Sequence, residues 1–251
     1  VTLNAAAPSF HLFGTLAHRY DLHTPPHHYA RDHDFVLDHL EGAGRGRLLD
    51  VGCGTGVLLE KALARGFDAH GIDAAPAMVA EAAGKVGAGR VAVRAMEDID
   101  DDGAFDGLCA LSWVINYAAD TMAAAGILRR MHRALAPGGR LLLQTAHAPN
   151  MDGAVLEDRE PGPDGQADDV VFLFQFRPEG PDRALARYVY AGKSLGELTW
   201  EEHPLAVADA HLLARLAAEA GFTDVEIRGS FRGEPLGRSI SPWILARRAG
   251  P

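Results

Sequence analysis

Cysteine is scarce in this 251-residue chain: Cys53 lies inside a glycine-rich turn and Cys109 in an apolar run, and there is no third. Two isolated thiols make no disulfide framework, so a reducing, cytoplasmic setting is expected. Long apolar runs are missing too. None approaches the roughly 18 residues that span a bilayer, and no secretory apolar segment opens the chain, so neither a membrane span nor an export signal is expected. Positive charge is also short, with 24 Lys and Arg against 34 Asp and Glu. An extended nucleic-acid surface needs clustered Lys and Arg to neutralise phosphates, and the net charge of −10 disfavours one. It leaves room for a small phosphate-bearing substrate. No internal repeat is visible. What remains is a chain 47% hydrophobic, enough for one sizeable core with an inserted subdomain.

Glycine, by contrast, is placed with a pattern. Leu48-Leu49-Asp50-Val51-Gly52-Cys53-Gly54-Thr55-Gly56 reads as an apolar strand running into a glycine turn, and Val57-Leu58-Leu59 opens a helix after it. Such a turn lets a ligand lie against bare backbone, beside the unpaired N–H groups of a helix start. Spacing separates two ligand classes. A dinucleotide fingerprint needs a small residue where Val57 stands, and the Asp50 carboxylate would repel a pyrophosphate. The same carboxylate would attract an ammonium group. A zwitterionic amino-acid ligand fits better.

These residues resemble the first motif of class I S-adenosylmethionine (SAM)-dependent methyltransferases, D-x-G-x-G-x-G, which reads here as Asp50, Gly52, Gly54 and Gly56. Leu135-Ala136-Pro137-Gly138-Gly139, ahead of the apolar run 141–145, matches a second signature of that family, L-x-P-G-G. The resemblance is to its small-molecule members, the sugar N-methyltransferase and glycine N-methyltransferase-like enzymes. It implies an α/β fold: a doubly wound, seven-stranded, mostly parallel Rossmann-like sheet whose last strand is antiparallel, with a helical N-terminal cap and an antiparallel β insertion. The corresponding boundaries are a cap at 1–40, a SAM-binding core at 41–146, an insertion at 147–207, and a C-terminal helix and strands at 208–251. The insertion is expected to hold strands over 170–176, 186–190 and 194–202, after a Gly/Pro/Asp-rich loop at 153–169.

The cofactor residues follow from the same resemblance. Asp73 ends the run Ala69-His70-Gly71-Ile72, 21 positions after Gly52, where Rossmann-like sheets meet a ribose; it is equally placed to cap the helix that Pro76 starts. In Arg94-Ala95-Met96-Glu97-Asp98-Ile99, which resembles the family's adenine-binding loop, the usual acid position falls on Ala95, leaving Met96 for the backbone contact and ring packing and Glu97, Asp98 or water for the adenine amino group. Cys53, Met78 and Leu111 complete the set. The segment around Tyr20-Asp21 resembles the "YD" cap of these enzymes. It implies that Tyr20 faces the reacting methyl and that Tyr29 and Arg31 meet the methionine carboxylate, unless the two tyrosines only pack a helical hairpin.

Acceptor-side residues are sought past the carboxyl ends of the strands. Trp113, Asn116 and Tyr117 leave the fourth strand there. The absence of an N-P-P-Y or D-P-P-Y sequence at this point argues against adenine, cytosine or glutamine targets. If the acceptor is an ammonium or hydroxyl, a base must take its proton. His147, just past the fifth strand, leads, unless it only bonds the turn at 149–150; Tyr20, Tyr117 and His203 stand in reserve. Arg159, Arg177, Arg183 and Arg187 could meet a sugar nucleotide or simply pair with surface carboxylates. Seven histidines in the first 40 residues have no cysteine nearby, and Pro25-Pro26 breaks their spacing, so no metal is expected. The expected activity is methyl transfer from SAM to an amine or hydroxyl of a small natural product or amino sugar, leaving S-adenosylhomocysteine (SAH). A peptide methyltransferase, a non-catalytic SAM-binding module and an NAD-linked oxidoreductase are the alternatives. No nucleic-acid or membrane partner is expected, and a homodimer through the insertion is.

Overall fold

A computed structural model describes residues 10–41, 46–160, 170–192 and 198–250. The chain starts with short helical turns and α1 (Tyr20–His23), then α2 (Ala30–Glu41). Strands and helices then alternate: β1 (Arg47–Val51), α3 (Val57–Ala64), β2 (Asp68–Asp73), α4 (Pro76–Val86), β3 (Val91–Val93), β4 (Phe105–Ala110), α5 (Thr121–Ala134) and β5 (Leu135–Gln144). Four strands break the alternation: β6 (Val155–Glu160), β7 (Val170–Pro178), β8 (Ala184–Ala191) and β9 (Thr199–Leu205). Then α6 (Ala210–Glu219), β10 (Phe222–Arg228) and β11 (Trp243–Arg248) close the chain.

Seven strands form the main sheet in the order β10-β11-β5-β4-β1-β2-β3. The pairs from β5 through β3 are parallel, and β11 runs antiparallel to both β5 and β10. The expected doubly wound sheet with an antiparallel finish is what forms. The reason can be read strand by strand. Side chains alternate faces along a strand, so a strand covered by helices on both sides must be apolar at every position. On β1, Leu49 and Val51 join one buried cluster while Leu48 joins the other; on β5, Leu141 and Leu143 oppose Leu142; on β11, Ile244 and Ala246 oppose Trp243 and Leu245. The first cluster packs on Ile127, Leu128 and Met131 of α5 and Leu213 of α6, the second on Val36, Leu37 and Leu40 of α2 and Leu58 and Leu59 of α3. Each fully buried leucine is worth about 2 kcal/mol of transfer free energy.

Helix starts follow their signals. Asp120 accepts the N–H of Ala123 at 2.8 Å and Asp209 that of His211 at 2.9 Å, while Pro76 takes the first position of α4. One boundary differs from expectation. The Pro137-Gly138-Gly139 run does not precede β5 but lies inside it: between Phe105 and Gly107 of β4 the partner strand advances from Leu135 to Arg140. The extra residues bulge out, and Gly138 takes a φ of +84° to allow it.

The second sheet is an antiparallel meander, β6-β7-β8-β9. Of its strands, β6 was expected as loop. Its sequence Val-Leu-Glu-Asp-Arg-Glu is too charged for a central strand, but it pairs on one side only, with β7, and an edge tolerates charge. The start of the run expected as a strand at 194–202 falls outside the described residues, as do residues 161–169 of the loop expected at 153–169; β9 itself begins at Thr199. The N-terminal segment ties the sheets together. Leu12 and Leu16 pack on Phe172 and Tyr190 of the second sheet. Asp21, at the other end, accepts Thr55 Oγ1 at 2.6 Å and Lys85 Nζ at 2.5 Å, on the glycine turn and α4. No helix among the described residues is long and apolar enough to cross a membrane.

Candidate active site

A cavity of about 890 Å3 opens over the carboxyl ends of β1 to β4, beneath the N-terminal segment and beside the second sheet. Its floor is the glycine turn. Gly52 takes a φ of +72°, and a Cβ there would stand 2.3 Å from Val114, so only glycine lets the chain leave β1 this closely. Gly56 serves differently: it takes a φ of +82° and its missing side chain lets α3 approach α4 at Ala82, 3.0 Å from where a Cβ would sit. It does not line the cavity.

Asp50 does line it, nearly buried, with Cys109 Sγ 3.5 Å from its Oδ1 and no cation beside it among the described contacts. Burial, with a smaller push from nearby Asp73, raises its carboxyl to about 7. An ammonium group would relieve that cost. Asp73 stands at the end of β2, where Oδ2 accepts the N–H of Gly54 at 3.0 Å and Oδ1 that of Ala75 at 2.9 Å. These backbone bonds aim the carboxylate without exhausting its lone pairs, and burial still holds its pKa above the ordinary value. From sequence, Asp73 is placed both to contact a ribose and to cap α4. The cap position of α4 is held by Ala75, and Asp73 braces the turn before it. Met78, Met96, Leu111 and Cys53 supply an apolar slot, and Glu97 is exposed at its edge.

Tyr20, Tyr29 and Tyr117 all face the cavity. The Tyr29 hydroxyl donates to the carbonyl of Thr24 at 2.5 Å, which pins its ring to the cap. Arg31 is exposed and outside the lining, so it is not placed to hold a carboxylate. His33, four residues after Tyr29, lies in the wall instead; burial and the Lys61 ammonium lower its imidazole to about 4, so it is neutral. Its position was legible: 33, 36, 37 and 40 form one helical stripe.

Three acceptor-side expectations meet a different outcome. Asn116 is fully buried and spends its whole hydrogen-bonding capacity on backbone and Thr145: Nδ2 donates to Ala206 O and Val207 O, and Oδ1 accepts from Thr145 Oγ1 and Ala146 N. It fastens the two sheets. Trp113 packs against Phe176 at 4.6 Å and donates to Ser241 Oγ at 2.9 Å, again at the joint between sheets. His147 is buried outside the cavity lining. Its Nδ1 accepts the N–H of Ala210 at the start of α6 and stands 3.5 Å from Asp209, which makes it a brace for that helix.

His203, by contrast, is fully buried directly behind the wall, with Nδ1 2.6 Å from the Tyr117 hydroxyl. Phe10 stacks on its ring at 3.8 Å. Phe10, Phe13, Thr55, Arg94 and Arg183 also line the cavity without having been singled out for it as cofactor or acceptor contacts, apart from Arg183 as a phosphate partner. Arg94 is already paired with Asp100 and Asp101, whereas Arg183 is exposed at the rim. Arg187 pairs with Glu202 at 2.6 Å and Arg177 with Glu179 at 3.7 Å, the commoner fate of surface arginines. Among the described residues, no group of three or more His, Cys, Asp or Glu side chains could hold a metal ion.

Comparison with known proteins agrees with this geometry. A family model described as a methyltransferase domain matches residues 22–227. The sugar N-methyltransferase KedS8 from Streptoalloteichus sp. ATCC 53650 is 27% identical, superposes with a TM-score of 0.74, and the alignment covers 99% of this chain and 96% of that one. The SAM-bound amino pentose methyltransferase CalS10 from Micromonospora echinaspora superposes with a TM-score of 0.67 at 24% identity, covering 87% and 90% of the two chains. A ubiquinone biosynthesis O-methyltransferase from Xanthomonas oryzae pv. oryzae is 36% identical over 118 residues, 45% of this chain and 47% of its own length. The chain belongs to the methyltransferase-domain family. Its fold is that of the SAM-dependent enzymes, and SAM is the cofactor that family and fold assign to it.

Proposed function

We propose that the protein transfers the methyl group of SAM to an amine or hydroxyl of a small molecule, an amino sugar or related natural product. The observation that carries this is the shape of the cavity. Its volume falls in the range of small-ligand sites, and the N-terminal segment and second sheet cover it, where a peptide methyltransferase would need an open groove. Likeness to KedS8, described as a sugar N-methyltransferase, supports the amino-sugar class, and the Xanthomonas relative keeps a hydroxyl acceptor in view.

In this reading Asp50 meets the ammonium of the donor's amino-acid tail, the glycine turn and first N–H groups of α3 lie along that tail, and Asp73 accepts both ribose hydroxyls. Met96 and Leu111 flank the base, with Glu97 at its edge. Bound there, the donor supplies an electrophilic methyl carbon. The protein's task is to hold the acceptor in line with it and keep water out, which aromatic walls from Tyr20, Phe10 and Phe13 suit. Val155, Leu156, Leu198 and Trp200 leave an exposed apolar surface on and beside the second sheet, the part of the molecule a homodimer would use.

Calorimetry with SAM, SAH and NAD comes first, followed by labelled-methyl incorporation into D-glucosamine, tyramine and catechol. SAM and SAH binding with methyl transfer to one of them is expected. Binding of NAD and of neither SAM nor SAH would overturn the reading. SAM uptake without transfer to any small or peptide acceptor would favour a binding module.

A further inference from the structure

Behind the acceptor wall, three polar side chains stand in a row that methyl transfer by position alone does not require. The Tyr117 hydroxyl is 2.6 Å from Nδ1 of His203, and Nε2 of the same ring is 3.2 Å from Oε1 of Glu201, close enough for an ion pair though not aligned as a hydrogen bond. Glu201 is fixed on every side. It accepts His11 N at 2.6 Å, Leu12 N at 2.9 Å and the Tyr190 hydroxyl at 3.0 Å. The His203 ring is held by Phe10 stacked on it and by Phe13 and Tyr188 edge-on at 5.3 and 4.9 Å. Of the three, only Tyr117 reaches the cavity. A buried carboxylate, an oriented imidazole and a phenol at a substrate wall, in that order, is an arrangement suited to moving a proton inward.

We propose that Tyr117, His203 and Glu201 form a buried relay that takes the proton of the methyl acceptor, with the Tyr117 oxygen as the atom that meets it. The proposal rests on the methyl-transfer reading above. With the His203 proton on Nε2, facing Glu201, Nδ1 accepts from the Tyr117 O–H, and the phenol oxygen keeps a lone pair for the cavity. As the acceptor nitrogen or oxygen bonds to the methyl carbon, the carbon–sulfur electron pair stays on sulfur. The acceptor's proton passes to the Tyr117 oxygen while the phenol's own proton moves to His203 Nδ1. The positive charge that leaves sulfur is thus held as an imidazolium beside Glu201, and returns to water through Tyr117 when the products leave. An amine that arrives protonated gives that one proton to the relay before attack, and the methylated product then leaves as the ammonium, keeping its remaining proton.

The electrostatics fit that order. Burial, with Tyr188 and Tyr20 nearby, pushes the Tyr117 phenol well above its ordinary range, so it cannot hold a negative charge and must pass its proton on in the same motion. Burial also pushes Glu201 up, but the contact from His203 and the two backbone N–H groups outweigh it and keep the carboxyl below its ordinary value, charged and ready for an imidazolium. Tyr117 is the catalytic group; His203 and Glu201 act through it.

The test uses the full chain labelled with 15N-histidine and saturated with SAH. Nitrogen NMR is expected to show His203 with a bare Nδ1 and a protonated Nε2, assigned by its loss in His203→Gln, and Tyr117→Phe is expected to shift the Nδ1 resonance. With an acceptor from the panel above, Tyr117→Phe should lower kcat about 100-fold and Glu201→Gln about 10-fold, each leaving the Kd for SAH within about twofold. Because Tyr117→Phe removes one oxygen and keeps the ring, it reports on the relay even if His203→Gln does not fold. A proton on Nδ1 in the SAH complex, or kcat retained within about threefold in Tyr117→Phe, would overturn the relay alone. Failure of SAH to bind would overturn the functional reading beneath it as well.

Discussion

The two walls of the cavity are built on different principles. The donor wall comes from a short, nearly continuous piece of chain, Asp50 to Glu97, and relies on backbone: a glycine turn, a helix start, and a carboxylate held by two N–H groups. The acceptor wall is gathered from three distant places, with Phe10 and Phe13 from the N-terminal segment, Tyr117 from the exit of β4, and Pro204 and Ala206 from the end of β9. The first is a local conformation that any chain with those glycines adopts on a parallel sheet. The second exists only when two sheets and the N-terminal segment have docked. Such a division lets one nucleotide-binding frame carry different acceptors.

Substitutions can break that comparison, beginning with the largest effect. Asp73→Ala should weaken SAM binding about 100-fold, near 2.7 kcal/mol, because charge-assisted bonds to a ribose are lost along with the brace on Gly54; calorimetry showing unchanged affinity would remove the ribose assignment. Asn116→Ala should cost about 2 to 3 kcal/mol of folding stability, since it strips partners from buried backbone groups in both sheets. If denaturant unfolding shows that loss while SAM affinity of the folded fraction holds, Asn116 belongs to the joint and not to the site.

Asp50 gives a pH test. Its folded pKa of about 7 lies above the ordinary 3.8, so between those values the native ligand-free protein binds more protons than the unfolded chain. Stability of the free protein should therefore fall as pH rises from about 4 to 7, and SAM affinity should rise several-fold between pH 5.5 and 7.5 as the carboxylate ionises. Asp50→Asn should flatten both trends and bind SAM about tenfold more weakly. The smallest effect is expected at His147. His147→Ala should lower the melting temperature by a few degrees, through the lost contact to Ala210 N, while kcat and the SAM Kd stay within about twofold. A hundredfold loss of kcat would return it to the chemistry.

Legibility in the sequence followed the same divide. Asp50, Gly52 and Gly54 could be placed at the cavity from sequence because they sit within one glycine motif, and Asp73 because it lies at a fixed offset from it, one strand over. His33 and Glu201 were just as accessible through periodicity, one on the helical stripe with Val36, Leu37 and Leu40, the other two residues before His203 and four before Leu205 on the inward face of β9. Asn116 and His147 looked like site residues since both leave the carboxyl ends of central strands. Their partners, Ala206, Val207 and Ala210, lie 63 to 91 positions away and could not be foreseen.

By itself, then, the order of residues determined the glycine turn, the helix starts and the cradle they form, because alternation, glycine conformations and helix starts act over ten residues or fewer; the parallel sheet and its antiparallel finish were implied by the resemblance that the motifs at 50–56 and 135–139 carry. Which polar groups face the cavity, and which are consumed in fastening sheet to sheet, was decided only by the docking of β7 to β9 and the N-terminal segment onto the core. Burial and hydrogen-bond satisfaction belong to the assembled molecule, since each depends on neighbours that the linear chain does not name.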